Sequence, residues 1–293
     1  MLLRGIAPFD RLTARLLAAV KRQFRWTPPF ADRVNYFRGV ATRLREEGFT
    51  VHHPEVSFAK TVERRAEDLG KALKKVLAEP NVDKVHIISH SMGALDARHM
   101  IVDGGMADHV ASLTTIAAPH RGTHIADMLA EGTVGNITKP LRRMLELGGL
   151  SSLTTSECTA FNARAEHAEA TNGVVYRAYY SFQDYPRVFA VLQPSWKIIH
   201  NKAAEGEKDN DGLAPVTSQR WQPTLSSSDG SHVKDVGQKP FPVRGDHLNV
   251  LGWWEPNDAR VWWWRRSLVA QKRQYEAEVR EAYVTIATEA VNS

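Results

Sequence analysis

Three residues in one order carry the strongest chemistry in this chain: Ser91, Asp211 and His247. A serine hydroxyl is a weak nucleophile at neutral pH. It becomes a useful one when a histidine takes its proton and a carboxylate orients that histidine and stabilises its cation. Ser91 stands in Ser89-His90-Ser91-Met92-Gly93, between the apolar run Val85–Ser89 and a segment of helical character. A serine at the apex of a sharp strand–turn–helix elbow projects its hydroxyl above the sheet edge. The residues two before and two after it must then be small, and Ser89 and Gly93 are, although glycine is usual at both places. Each residue also has a plainer reading. Ser91 could cap the helix, Asp211 could open an Asp-Gly turn, and His247 could be a surface histidine. The order serine, acid, histidine is the one an elbow serine needs, and it favours the nucleophilic reading.

The elements that must position these residues follow from hydrophobic period and turn chemistry. Leu2-Leu3 reads as a short strand and Ile6–Asp10 as the loop after it. Phe37, Val40, Ala41 and Leu44 share one helical face, ended by Gly48. Phe49–His52 reads as a strand stopped by Pro54. A long helix is expected from Thr61 to Ala78, then the Val85–Ser89 strand, the elbow, a helix to Gly104-Gly105 and a strand over Val110–Ile116. This alternation predicts a mostly parallel sheet with helices on both faces. Sites in such sheets lie at the carboxyl ends of the strands, where Ser91 and the Ile6 loop both fall. From 123 to 172 the alternation gives way to helices: one over Pro140–Leu147, and one opened by the capping pair Thr154…Glu157 and carrying Cys158, Phe161 and Ala165. Strands resume at Val174–Ser181 and Trp196–His200. Ser226–His232 reads as a surface loop, and the tail from Ala259 as a charged helix beginning near Trp262-Trp263-Trp264.

Composition narrows the rest. The chain has 293 residues, 43% of them hydrophobic, enough for one large domain with a core that needs no staples. A single cysteine, Cys158, excludes an internal disulfide and fits a reducing compartment. No run reaches the ~20 apolar residues of a membrane span. Met1–Gly5 has neither the basic nor the apolar region of a signal peptide, so the expected place is the cytoplasm unless a leader has been removed. The net charge of +5 is spread along the chain, without a dense basic block, which argues against a nucleic-acid partner. His120 and His124 have the spacing of metal ligands on a helix, but Pro119 and Gly122 disfavour that helix and no third ligand is apparent, so no zinc site is expected.

Four blocks in order carry a resemblance: Ser89–Arg98, Thr114–Thr123, Asn210-Asp211-Gly212-Leu213 and Asp246-His247-Leu248. With the opening Leu2–Asp10, Tyr36–Val40 and Val51–Val56, they resemble the bacterial triacylglycerol lipases of the Pseudomonas/Burkholderia type in the α/β-hydrolase superfamily. The resemblance implies an α/β-hydrolase fold over 1–293 with a helical cap or lid insertion at about 123–172. It implies Ser91 as nucleophile, His247 as base and Asp211 as acid, with Asp209 the alternative because it lies close by. It implies oxyanion donors at the backbone N–H groups of Ile6 and Met92. Leu141, Met144, Leu145, Leu150, Leu153 and Phe161 are then the candidates for lining the acyl pocket or facing the lid. The implied activity is that of a lipase or esterase acting on acyl-ester or lipid substrates, with transient contact at a lipid interface. An acyltransferase on the same residues, or a non-catalytic binding protein of this fold, are the alternatives. Two departures stand out. Arg4 replaces a histidine beside the oxyanion loop. Asn249 replaces an aspartate of the family's calcium site, so no cofactor is expected and a tight calcium site is not favoured.

Overall fold

The computed structural model describes residues 1–3, 36–54, 56, 60–133, 150–254 and 265–293. In chain order the elements are β1 (Leu2–Leu3), α1 (Val40–Glu46), α2 (Val62–Leu77), β2 (Val85–His90), α3 (Gly93–Val102) and β3 (Val110–Ile116). There follow α4 (His124–Ala130), α5 (Thr155–Thr171), β4 (Val175–Tyr180), α6 (Gln193–Lys202) and α7 (Val216–Gln219). The chain then adds β5 (Thr224–Ser226), β6 (Val233–Asp235), β7 (Gly237–Pro240) and α8 (Arg265–Val291). Among the described residues the frame is a five-stranded, wholly parallel sheet, ordered β1-β2-β3-β4-β7. The register brings Ile88 beside Leu2 on one side and beside Thr114 on the other.

A parallel sheet must be covered on both faces, because neither can be left to water. Alternation along the strands supplies both. Ile87, Leu113 and Tyr176 face α2 and α3, where Leu69, Leu73, Ala97, Met100 and Ile101 close the first layer. Ile88, Ile116 and Tyr179 face the opposite layer, built by α1 and α8 with Phe37, Val40, Leu44, Val279, Tyr283 and Ile286. A third cluster lies beyond the elbow: Met92, Leu95, Ile125, Leu153, Cys158, Val188, Leu192 and Ile199 join the helices of the 123–172 segment and α6 to α3. In this third layer Thr154 Oγ1 accepts the Glu157 N–H at the start of α5, as the capping pattern predicts. The single cysteine, Cys158, is buried there and its thiol pKa is pushed up to about 12 by burial.

The structure departs from the expected elements in four places. Trp196–His200 is helix, not strand. The ring of Trp196 stacks on that of His200 four residues on, and Ser195 and Ile199, also four apart, are the buried pair, so the period is helical. Pro194 sits in the first turn, the place in a helix where its missing N–H costs nothing. Phe49–His52 pairs with no strand among the described residues; Phe49 and Val51 reach the second core cluster from irregular backbone. The loop expected at Ser226–His232 is the turn of a hairpin, β5 pairing antiparallel with β6. Finally β7 is a strand without a hydrophobic pattern, Gly237-Gln238-Lys239-Pro240, as an edge position allows. The Pro140–Leu147 helix and the tryptophan run at 262–264 lie outside the described residues.

Candidate active site

The sharp turn after β2 forces Ser91 into the left-handed region, φ +55°. A side chain there costs of order 1–3 kcal/mol, a strain found mainly where function fixes the backbone. The turn is held from both sides: the Ser91 N–H donates to the Ile116 carbonyl at the end of β3, 3.0 Å, and the Ser91 carbonyl accepts from Ala94 N. Ser89 is fully buried, with its hydroxyl 3.4 Å from the Thr114 carbonyl, and Gly93 opens α3. Small residues at both places let strand and helix meet this closely.

Two loops from later in the chain reach Ser91. The Ser91 hydroxyl lies 2.8 Å from His247 Nε2. His247 Nδ1 lies 2.7 Å from Asp211 Oδ2. A carboxylate can only accept, so the proton is on Nδ1, and Nε2 is left as acceptor for the serine hydroxyl. Asp211 is itself fixed. Its Oδ1 accepts the Leu213 and Ala214 N–H groups at 2.9 and 2.8 Å, and the carboxylate is fully buried. The His247 N–H also donates to the Asp211 carbonyl, 2.9 Å, so the main chain aligns the two loops as well as the side chains do. Gly212 is at φ +92°, and a Cβ there would come within 2.9 Å of Leu192 Cβ, so the turn after Asp211 requires glycine. Asp209 is exposed, and its carbonyl accepts from Val216 N; it lies outward of this arrangement.

Met92 caps α3, which places its N–H at the positive end of that helix's dipole. Ile6 lies outside the described residues, as do Leu141, Met144 and Leu145. Leu150 begins a short 3-10 turn that ends at Leu153. Leu153 is buried in the third core cluster. Phe161 is also buried, its ring stacked on His99 at 3.8 Å and beneath the guanidinium groups of Arg98 and Arg164. The metal-spaced histidines do not converge. His120 is fully buried, stacked on Trp221 and bonded to Thr115 Oγ1, whereas His124 is exposed and pairs with Asp127.

Two buried titratable residues lie beside His247, one in the elbow block and one in the Asp246-His247-Leu248 block, and the sequence assigns neither a role. His90, fully buried, bonds to the Tyr36 hydroxyl at 2.7 Å through Nδ1 and packs its ring 4.5 Å from that of His247. Burial first, and then the neighbouring His247, hold its pKa well below the usual imidazole range. Asp246 is fully buried, and its carboxylate accepts from Phe189, Leu248 and Asn249 N–H groups at 2.6, 2.9 and 2.9 Å. Burial outweighs those bonds and raises its pKa to about 7. The role of a buried polar residue is visible from sequence only once its partners are known.

Comparison with known proteins places this geometry. Residues 47–150 match the family model described as a PGAP1-like alpha/beta domain. Triacylglycerol lipase 2 of Saccharomyces cerevisiae is 28% identical over 75% of this chain and 63% of its own length. A triacylglycerol lipase of Vibrio cholerae is 29% identical over 63% of this chain and 68% of its own, and one of Burkholderia plantarii 34% over 36% and 30%. The chain thus spans somewhat under two thirds of the yeast relative. Among solved structures, the Staphylococcus hyicus lipase aligns with TM-score 0.59 over 98% of this chain and 94% of that one, at 17% identity. A metagenomic carboxyl esterase aligns with TM-score 0.60 over 98% and 74%, at 16% identity. Fold and sequence likeness agree: the chain has the α/β-hydrolase fold and is similar in sequence to bacterial triacylglycerol lipases.

Proposed function

We propose that this protein is a serine carboxylic-ester hydrolase, a lipase or esterase, working through an acyl-enzyme on Ser91. The observation that carries the reading is the unbroken chain Ser91 Oγ to His247 Nε2 at 2.8 Å and His247 Nδ1 to Asp211 Oδ2 at 2.7 Å. His247 takes the serine proton as Ser91 Oγ attacks the ester carbonyl. It returns that proton to the leaving alcohol as the tetrahedral intermediate collapses. Water then attacks the acyl-enzyme, again with His247 as base, and the acid leaves. Asp211, buried and held by two N–H groups, keeps the Nδ1 proton in place and offsets the charge on the imidazolium. The Met92 N–H is the oxyanion donor this reading uses; the loss of one such donor in a comparable enzyme cost ~3–4 kcal/mol. Ile6 is its partner in the same proposal.

The substrate proposed is an acyl ester of lipid type, as the names of the relatives indicate for those proteins. The helices of 123–172 are proposed as the cap above the strand ends. Calcium has no part in the reading. Asn249, at the position where the resemblance would put a carboxylate, uses its Oδ1 to accept from Asp246 N and its amide to donate to Trp253 O. The donor set at that position is neutral and already engaged, which does not fit a tight calcium site.

The test is hydrolysis of p-nitrophenyl esters from short to long acyl chains, with Ser91→Ala beside the parent. Loss of at least about 10³-fold in kcat is expected in the variant, and the chain-length profile separates esterase from lipase. Equal activity in both proteins would sink Ser91 as the nucleophile.

A further inference from the structure

We infer that His90 is a positioning residue for the base: held as a neutral imidazole by Tyr36, it fixes the ring of His247 against which it packs. The inference rests on the acyl-transfer reading above. Four observations carry it. The His90 ring meets the His247 ring at 4.5 Å between centroids, tilted by 52°. His90 Nδ1 lies 2.7 Å from the Tyr36 hydroxyl. His90 is fully buried, and Tyr36 nearly so. Its Nε2 finds no hydrogen-bond partner among the described residues.

A catalytic imidazole has two bonds in its own plane, here to Asp211 and Ser91, and these leave it free to rock about the line that joins them. A second ring packed against it opposes that motion. A small displacement of a reacting group can cost about 10²-fold in rate. His90 suits the place because it comes from the elbow itself, one residue before Ser91, so nucleophile and base share one reference point. It must also stay uncharged, because a cation at 4.5 Å would oppose the imidazolium that forms on His247 during each proton transfer. The Tyr36 hydroxyl, 2.7 Å from Nδ1, engages that nitrogen while burial disfavours a second proton, so the ring stays neutral. Tyr36 is held in turn: its carbonyl accepts from Trp253 Nε1 at 3.2 Å, and its ring packs edge-on against Phe37 at 5.1 Å. The support therefore runs from the second core layer to the base.

The test compares His90→Leu, Tyr36→Phe and the double variant with the parent, and Ser91→Ala runs beside them. The readouts are kcat and KM on a p-nitrophenyl ester, the rate at which a fluorophosphonate labels Ser91, the melting temperature, and the downfield Nδ1–H resonance of His247. His90→Leu should lower kcat and the labelling rate together by about 10–100-fold. KM should stay within about twofold, and the downfield resonance should broaden or disappear. Tyr36→Phe should lower kcat by a smaller factor with its melting temperature little changed. The double variant should fall no further than His90→Leu, as expected for residues acting in one line. Unchanged kcat and labelling in folded His90→Leu, or a loss confined to KM, would overturn the inference. Should His90→Leu fail to fold, Tyr36→Phe decides: parental kcat and labelling in that variant overturn the inference equally. The Ser91→Ala control keeps the two readings apart. If it retains activity, the nucleophile assignment fails; if it is dead while His90→Leu is fully active, only the role of His90 fails.

Discussion

At the scale of single residues, the site is a set of side chains whose freedom has been removed. Asp211 has a bond on each carboxylate oxygen, His247 has one on each ring nitrogen, and Ser91 is pinned through its own main chain. Asp211→Asn tests how much of the chemistry depends on the tautomer rather than on geometry. An asparagine amide turned toward His247 would hold the proton on the wrong nitrogen. The expected result is a fall in kcat of about 10³–10⁴-fold at nearly constant KM and melting temperature, read by ester hydrolysis beside a thermal scan. Ser91, Asp211 and His247 are legible in the sequence because each sits in a short run whose composition is constrained locally: small residues around the serine, glycine after the aspartate. His90 and Asp246 are not. Their surroundings come from Tyr36, Phe189 and Asn249, and no spacing rule links those positions.

At the scale of elements, the helix that follows Ser91 is anchored from behind by a buried ion pair. Arg98 on α3 meets Glu169 on α5 through two bonds of 2.8 and 2.9 Å, both side chains fully buried. The same guanidinium lies over the Trp221 ring at 4.1 Å and donates to Asn162 Oδ1. Removing one member of such a pair leaves an uncompensated charge in the interior. Glu169→Gln should therefore destabilise by about 3–5 kcal/mol in denaturant unfolding. Replacing both partners with apolar residues should cost much less. Elements with a clear period, such as α2, β2 and β3, are legible in their own residues. Those that are not have a physical reason. Trp196-Lys197-Ile198-Ile199-His200 is too short an apolar run for its period to be told, and β7 owes its strand state to the edge of β4 rather than to its own residues.

At the scale of the whole molecule, stability and charge are coupled through buried titratable groups. Asp246 ionises near 7 in the fold and near 4 in the unfolded chain, because burial disfavours its charged form. Between those values the folded state holds a proton that the unfolded state has lost. Its contribution to stability is thus present below about pH 4, falls as pH rises to about 7, and is constant above. Asp96, raised to about 6 by burial despite Arg65 beside it, adds in the same sense. His90, lowered by burial, acts oppositely: it favours the fold as pH rises toward 6.5. In Asp246→Asn the first of these dependences is gone. Stability relative to the parent should increase from pH 4 to 7 by at most about 4 kcal/mol and then level off, in urea titrations at fixed pH. Equal pH dependence in the two proteins would exclude a protonated Asp246 in the fold.

The left-handed backbone of Ser91 sets the interests of the fold against those of the reaction. Glycine would adopt φ +55° without penalty, while serine does so at a cost of order 1–3 kcal/mol. A population selected for heat resistance alone, with no demand on turnover, would therefore drift toward glycine at position 91 and lose its chemistry while becoming more robust. Screens meant to toughen this protein need an activity gate at every round, because one stabilising change open to it is also the one that, on the proposed mechanism, disarms it.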